Sequence, residues 1–138
     1  MLKPAITCCA FLLMLAGCQS TPKPQHNQQL DILGTWHIEV IQSQPTIDYS
    51  PAQLTFATNN KLSGNNSCNT FVGSYALKNQ HLTIETTGHT ERACVDALMQ
   101  QEQNMLQILP EISQAEMLKG KLILRNDDGK SLLTLSRI

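Results

Sequence analysis

From Glu91 to Leu109 the chain carries no glycine or proline, and Val95, Leu98, Met99, Glu102, Met105, Leu106 and Leu109 recur at helical spacing. The runs around this segment keep a period of two instead. Gly34 to Val40 alternates with Trp36, Ile38 and Val40 on one face, and Leu54 with Phe56 repeats the pattern after Pro51. Phe71, Gly73, Tyr75 and Leu77 alternate again, followed by Leu82 and Ile84. Asn59-Asn60, Asn79-Gln80 and Asn126-Asp127-Asp128-Gly129 are turn signals between such runs, and Gly64-Asn65-Asn66-Ser67 is too polar and turn-prone for a regular strand. Thr90 is the expected N-cap of the helix, with Glu91 in its first turn, and Pro110 ends it. Three short closing strands are expected around Glu116–Leu118, Lys121–Arg125 and Leu132–Leu135. The fold class is therefore α+β, an antiparallel sheet curled on the apolar stripe of one main helix.

The N-terminus follows different rules. Lys3 is followed by Pro4 to Gly17 (PAITCCAFLLMLAG), a charge-free and mostly apolar run. It is too short to cross a hydrocarbon core of ~30 Å as a helix, and it has the size of a signal segment. It ends in Leu15-Ala16-Gly17-Cys18, which resembles a lipobox. Residues 1–17 are read as a lipoprotein signal peptide and Cys18 as the lipidation site. The thiol takes a diacylglycerol, and the new terminus takes a further acyl chain such as palmitate. Several buried chains, each CH₂ contributing ~0.8 kcal/mol, make a stable anchor where one would not. Residues 18–29, with QSTPKPQHNQQ after the cysteine, are a polar linker that cannot continue a core element, and residues 30–138 are the folded domain. The chain's membrane partner is thus the bilayer that Cys18 enters. Gln19 after the cysteine, where aspartate is absent, points to the periplasmic face of the outer membrane, with the inner membrane as the alternative.

Of five cysteines, Cys8 and Cys9 leave with the signal and Cys18 is acylated, so Cys68 and Cys94 remain in an oxidising compartment. A disulfide between them would close a loop of about 26 residues and stabilise by roughly 3.5 kcal/mol in the chain-entropy model. The alternative is two buried thiols packed as small apolar groups, and geometry decides between the two. The compartment favours the disulfide.

Formal net charge is −1, and loss of Lys3 makes the mature chain one unit more negative, so no basic surplus argues for nucleic acid. A free Cys68 or Cys94 with His37, His81 or His89 could form a nucleophile and base, an option that pairing removes. The chain has no Gly-x-Ser-x-Gly elbow, no His-Glu-x-x-His and no phosphate-cradling glycine loop. Cys68, Cys94, His81 and His89 include zinc-binding atoms without zinc-ligand spacing. The expectation is no catalysis, no metal and no cofactor. Asn69 is expected to bond local backbone, Tyr75 to lie in the core with its hydroxyl satisfied, and Glu102 to hold helix to sheet.

The segment Leu62-Ser63-Gly64-Asn65-Asn66-Ser67-Cys68-Asn69-Thr70-Phe71-Val72-Gly73-Ser74-Tyr75 resembles the signature of the META domain, also called the HslJ family. So do Thr90-Glu91-Arg92-Ala93-Cys94 with the later Glu102 and Leu109, and the closing Gly120, Leu122, Leu124, Gly129 and Leu133. The resemblance spans about Leu30 to Ile138. Ser67 stands where the family usually has glycine, and Arg92 where an apolar residue is usual. Membership implies a small β-rich domain with a helix, frequently on envelope lipoproteins, some linked to heat induction and novobiocin resistance. It also implies a cracked-barrel-like sheet similar to that of pilotins, the lipoproteins that escort secretin subunits. Two functions follow as expectations. One is a non-catalytic envelope lipoprotein supporting outer-membrane integrity or stress and drug tolerance through an unidentified envelope partner. The other is a pilotin-like chaperone or binding module for an apolar ligand or partner segment. An open groove between helix and sheet would favour the second, a filled interior the first.

Overall fold

The computed structural model describes residues 29–138. The expectations for the signal segment, for Cys18 and for the linker up to residue 28 lie outside the described residues. In chain order the elements are β1 (Gly34–Ile41), β2 (Gln44–Pro45), β3 (Gln53–Phe56), β4 (Lys61–Asn65), β5 (Thr70–Lys78), β6 (His81–His89), α1 (Asp96–Ile108), a 3-10 turn (Leu109–Glu111), β7 (Gln114–Leu118), β8 (Lys121–Arg125) and β9 (Ser131–Arg137). The strands form one antiparallel sheet in the order β2-β1-β3-β4-β5-β6-β7-β8-β9, and β1 also pairs with β9, so the sheet is ring-like. The ring is weakest between β6 and β7, which share the single pair His81–Gln114. The chain between these two strands holds α1 and the 3-10 turn.

The interior is filled. Trp36, Ile38, Leu54, Phe56, Leu82, Leu122, Leu124, Leu133 and Leu135 are all buried in one cluster, and α1 with the following turn adds Met105, Ile108, Leu109 and Ile112. The Tyr75 ring packs edge-on against Phe56 at 5.0 Å, and its hydroxyl donates to the Ala57 carbonyl at 2.9 Å; burial raises the phenol's pKa above its ordinary 10.0. Lys121 of β8 pairs with Glu39 of β1 across β9. The hydrogen bond from Lys121 holds the Glu39 carboxyl below its ordinary 4.5. That contribution is complete above the unfolded carboxylate's pKa and is lost as pH falls through the folded one.

Several local expectations shift. Ile41 takes the core position expected of Val40, because the β1–β9 register slips between Ile38 and Val40, and an extra residue reverses which side chains face inward. Gln42 and Ser43, at φ 47° and 71°, turn β1 straight back into β2, a hairpin the apolar pattern does not mark. Gly64 and Asn65 extend β4, and the irregular loop starts only at Asn66. The helix begins at Asp96, its N-cap is Val95, and no side chain caps it. Its buried residues are Gln101, Glu102, Met105 and Ile108, whereas Val95 and Met99 are exposed.

Gly73 marks the tightest backbone approach. The β5–β6 register slips between Val72 and Gly73, and a Cβ on Gly73 would lie 2.0 Å from the Glu85 carbonyl oxygen. A Cβ on the neighbouring strand's Gly88 would meet only Val72 Cγ2 at 3.8 Å, an ordinary contact. Gly73→Ala should therefore lower stability by several kcal/mol or prevent folding, while Gly88→Ala stays within about 1 kcal/mol of the parent. Chemical denaturation checks this, and equal midpoints for the two variants would contradict the packing at the bulge.

Candidate functional site

The polar residues singled out in the sequence converge where α1 meets the loop between β4 and β5. Asn65 Oδ1 accepts the Ser67 N–H at 2.8 Å, and Asn66 Oδ1 accepts the Asn69 N–H at 3.0 Å, while the Asn66 N–H donates to the Asn69 carbonyl at 2.9 Å. These local bonds fold residues 65–69 into a tight loop that is buried from Asn66 to Asn69. The asparagine side chains thereby supply acceptors for the loop's own backbone N–H groups, where a regular strand would have used a neighbouring strand.

Asn69 reaches further than its expected local role. Its Oδ1 accepts the Arg92 N–H at 2.7 Å and the Thr90 hydroxyl at 2.8 Å. Its Nδ2 donates to both oxygens of the Glu102 carboxylate at 3.1 Å and to the Arg92 carbonyl at 3.2 Å. Its partners lie 21 to 33 residues along the chain, so one amide joins the loop, the approach to the helix and the helix itself. Glu102, buried on α1, has its carboxylate in a polar contact that offsets desolvation. Tyr75 lies elsewhere, in the core.

Beside Glu102, Gln101 makes the second half of the junction, which apolar spacing does not mark. Its Nε2 donates to Ser50 Oγ at 2.5 Å and Ser67 Oγ at 2.6 Å, and its Oε1 accepts the Ile47 N–H at 3.1 Å. The signal for it lay in the spacing: Leu98, Gln101, Glu102, Met105 and Ile108 form one helical face once polar residues are admitted to it. Ser67 sits at φ 103°, where glycine is the easy choice, and its hydroxyl is the acceptor that Gln101 uses. Arg92 contributes through its backbone, with its side chain exposed. Asn66 Nδ2 has no partner among the described residues although Asn66 is fully buried.

Cys68 and Cys94 are joined, with S–S 2.07 Å and Cα–Cα 5.9 Å. The bond runs beside Asn69 and links the same two segments. Neither sulfur is a free thiol, so the Cys–His arrangement has no nucleophile in this structure. His37 and His81 stand on β1 and β6 away from the junction, and His89 lines a cleft next to it. That cleft, about 370 Å³, opens between residues 89–93 and α1, with Met99, Glu102 and Leu106 on its helix side. Among the described residues no cluster of three or more His, Cys, Asp or Glu is placed to hold a metal ion.

Two measurements check this junction. Unreduced protein from an oxidising compartment should resist thiol reagents, and reduction should lower its melting temperature, with at most roughly 3.5 kcal/mol at stake. Alkylation of two thiols in the native protein would contradict the bond. Ser67→Gly should be more stable than Ser67→Ala by about 1 kcal/mol, since both lose the hydroxyl but only alanine keeps the backbone strain. Equal stability of the two would show that the positive φ costs nothing.

No curated protein matches the chain. Among solved structures, a protein from Burkholderia xenovorans determined by NMR is 28% identical, with TM-score 0.63 over 93% of this chain and 99% of that one. A second NMR structure is 25% identical, with TM-score 0.57 over 75% of this chain and 87% of its own. A DUF4847 family protein from Bacteroides vulgatus, 14% identical, shares the fold with TM-score 0.57 over 76% and 92% of the two chains. The META domain model matches residues 28–137, the span that holds the ring, the helix and the junction between them. This chain belongs to the META domain family.

Proposed function

We propose that the protein is a non-catalytic envelope lipoprotein, anchored through Cys18 on the periplasmic face of the outer membrane, that supports envelope integrity and stress or drug tolerance through protein contacts. The observation that carries this reading is the Cys68–Cys94 bond at the junction. A disulfide belongs to an oxidising compartment, which is where a chain with Leu15-Ala16-Gly17-Cys18 at its start would be delivered. The bond occupies both cysteine sulfurs of the domain, and the ring's interior is filled with side chains, which supports a scaffold and leaves little for an internal ligand site. Gln19 supports sorting to the outer membrane.

The cleft between α1 and residues 89–93 favours a second reading, a pilotin-like module that holds a partner segment. Met99 and Leu106 would supply apolar contact there and Glu102 a polar point. Crosslinking from position 99 to a defined envelope protein, lost on substitution of Leu106, would select this reading over the first.

The anchor is testable directly. Cys18→Ala should abolish metabolic labelling with palmitate and release the protein from membranes, and density-gradient fractionation of the parent should place it with outer-membrane markers. A strain lacking the protein should become more sensitive to detergent and to novobiocin, and the parent gene but not Cys18→Ala should restore resistance. Unchanged membrane partitioning of Cys18→Ala would sink the lipoprotein reading.

A further inference from the structure

The ring has two unlike ends. At one lie α1, the β4–β5 loop, the residue 46–50 loop and the Asn126–Lys130 turn. At the other lie the β3–β4, β5–β6 and β7–β8 turns, the end of β9 and the segment through which the chain enters the domain. That entering segment is fixed in place. Trp36 Nε1 donates to the Ile32 carbonyl at 2.8 Å, and the Arg137 guanidinium donates to the Leu33 and Asp31 carbonyls at 3.0 and 3.2 Å while stacking over the Trp36 ring at 4.6 Å. Ile32 is buried, so the described N-terminal segment is held at this end of the ring.

From this geometry we infer that the entry end of the ring lies directly on the bilayer surface, seated by exposed apolar side chains among lysines. The inference rests on the Cys18 anchor proposed above and adds an orientation and a contact surface to it. Leu33 (44% exposed), Met117 (42%), Leu118 (49%) and Ile138 (75%) project at this end. Lys61, Lys78, Lys119 and Arg137 are exposed around them, and the acids nearby are paired: Asp31 faces Arg137 at 3.8 Å, and Glu116, next to Met117, is bound by Arg125. The opposite end also exposes apolar side chains, Tyr49 and Val95 among them, so apolarity alone does not separate the two. Charge does. Exposed Asp48, Glu91, Asp96, Asp127 and Asp128 outnumber Arg92 and Lys130 there. An anionic membrane surface attracts the first end and repels the second.

Tether length points the same way. From Cys18 to Gln29 the chain can span at most about 38 Å when fully extended. The nine-residue strand β5 is itself roughly 30 Å long. Turning the helix end to the bilayer would require the linker to run back along the whole flank of the domain almost taut, at a large cost in chain entropy. With the entry end down, no such extension is needed. Lysines ringing a few apolar side chains on a surface held that close suit an interfacial contact: the apolar tips enter the headgroup region and the ammonium groups meet lipid phosphates.

The test uses the full mature, acylated protein in vesicles of phosphatidylethanolamine and phosphatidylglycerol. A nitroxide is attached at Leu118→Cys or, as the opposite-end control, at Tyr49→Cys, both exposed positions where the fold tolerates a label. Collision with a water-soluble nickel complex should be several-fold lower at 118 than at 49, and collision with oxygen higher. The difference should shrink when Lys61, Lys78 and Lys119 are replaced by glutamate or when the vesicles lack phosphatidylglycerol. Equal exposure of both positions to the nickel complex on vesicles would overturn the inference and leave this end for a protein partner. Spin–spin broadening between labels at 118 would overturn it in favour of a second copy of the chain. Mass measurement of the N-terminal peptide from the same sample separates the two readings. An unmodified Cys18 means that the anchor is wrong, whereas an acylated Cys18 with a water-exposed position 118 means that only the orientation is.

Discussion

The side-chain amide of Asn69 is the point on which the arrangement of helix and sheet turns. Its oxygen and nitrogen are both fully engaged, and every partner lies in a segment remote in sequence: Thr90 and Arg92 before the helix, Glu102 within it. In a buried site such bonds are strong because water cannot replace them, and for the same reason their loss is costly. Without the amide, the largely buried Glu102 carboxylate would lose its donor and the Arg92 N–H its acceptor within the protein. Two β-strands and a helix are thereby held by a group of three heavy atoms, where apolar packing alone would allow the helix to slide.

The disulfide and the Gln101 contacts act on the same joint in different ways. The covalent bond limits how far residues 68 and 94 can separate but leaves the helix free to rotate about it. The amide of Gln101 removes that freedom by engaging Ser50, Ser67 and the Ile47 N–H from a third segment. Ser67 shows how closely the requirements compete: the loop needs a positive φ there, the helix needs an acceptor, and serine meets the second at the expense of the first.

Much of this was legible from residue order, and the rest was not for identifiable reasons. Period-two patterns located Trp36, Ile38, Leu54, Phe56, Phe71 and Tyr75 in the core, because a strand with one buried face must alternate. The turns at Asn79-Gln80 and before Gly129 were visible because few residues accept positive φ, and Asn79 and Gly129 both adopt it. The bulge that exchanges Val40 for Ile41 was invisible, since an inserted residue is a property of two paired strands and not of one. The helix starts later than its composition suggests for a similar reason: residues 90–94 are helix-compatible, but Asn69 and Cys68 engage Thr90, Arg92 and Cys94 first. The sequence marks the junction only as separate residues. Apolar periodicity cannot register a helix face whose buried half is glutamine and glutamate, and the long-range reach of Asn69 has no local trace.

The pairing of β1 with β9 has a consequence in time. The ring joins strands that begin at Gly34 and end at Arg137, so its last seam unites nearly the first and last residues of the domain. A chain delivered progressively from its N-terminus can assemble β3 through β6 as local hairpins while the remainder is still being made, but β1 must wait with one edge open until the final seven-residue strand arrives. Contacts of such long sequence separation close slowly, because chain entropy is lost before the seam returns any energy. The ring closes only when the C-terminal strand pairs with β1, and a chain truncated within that strand would leave the β1 edge unpaired.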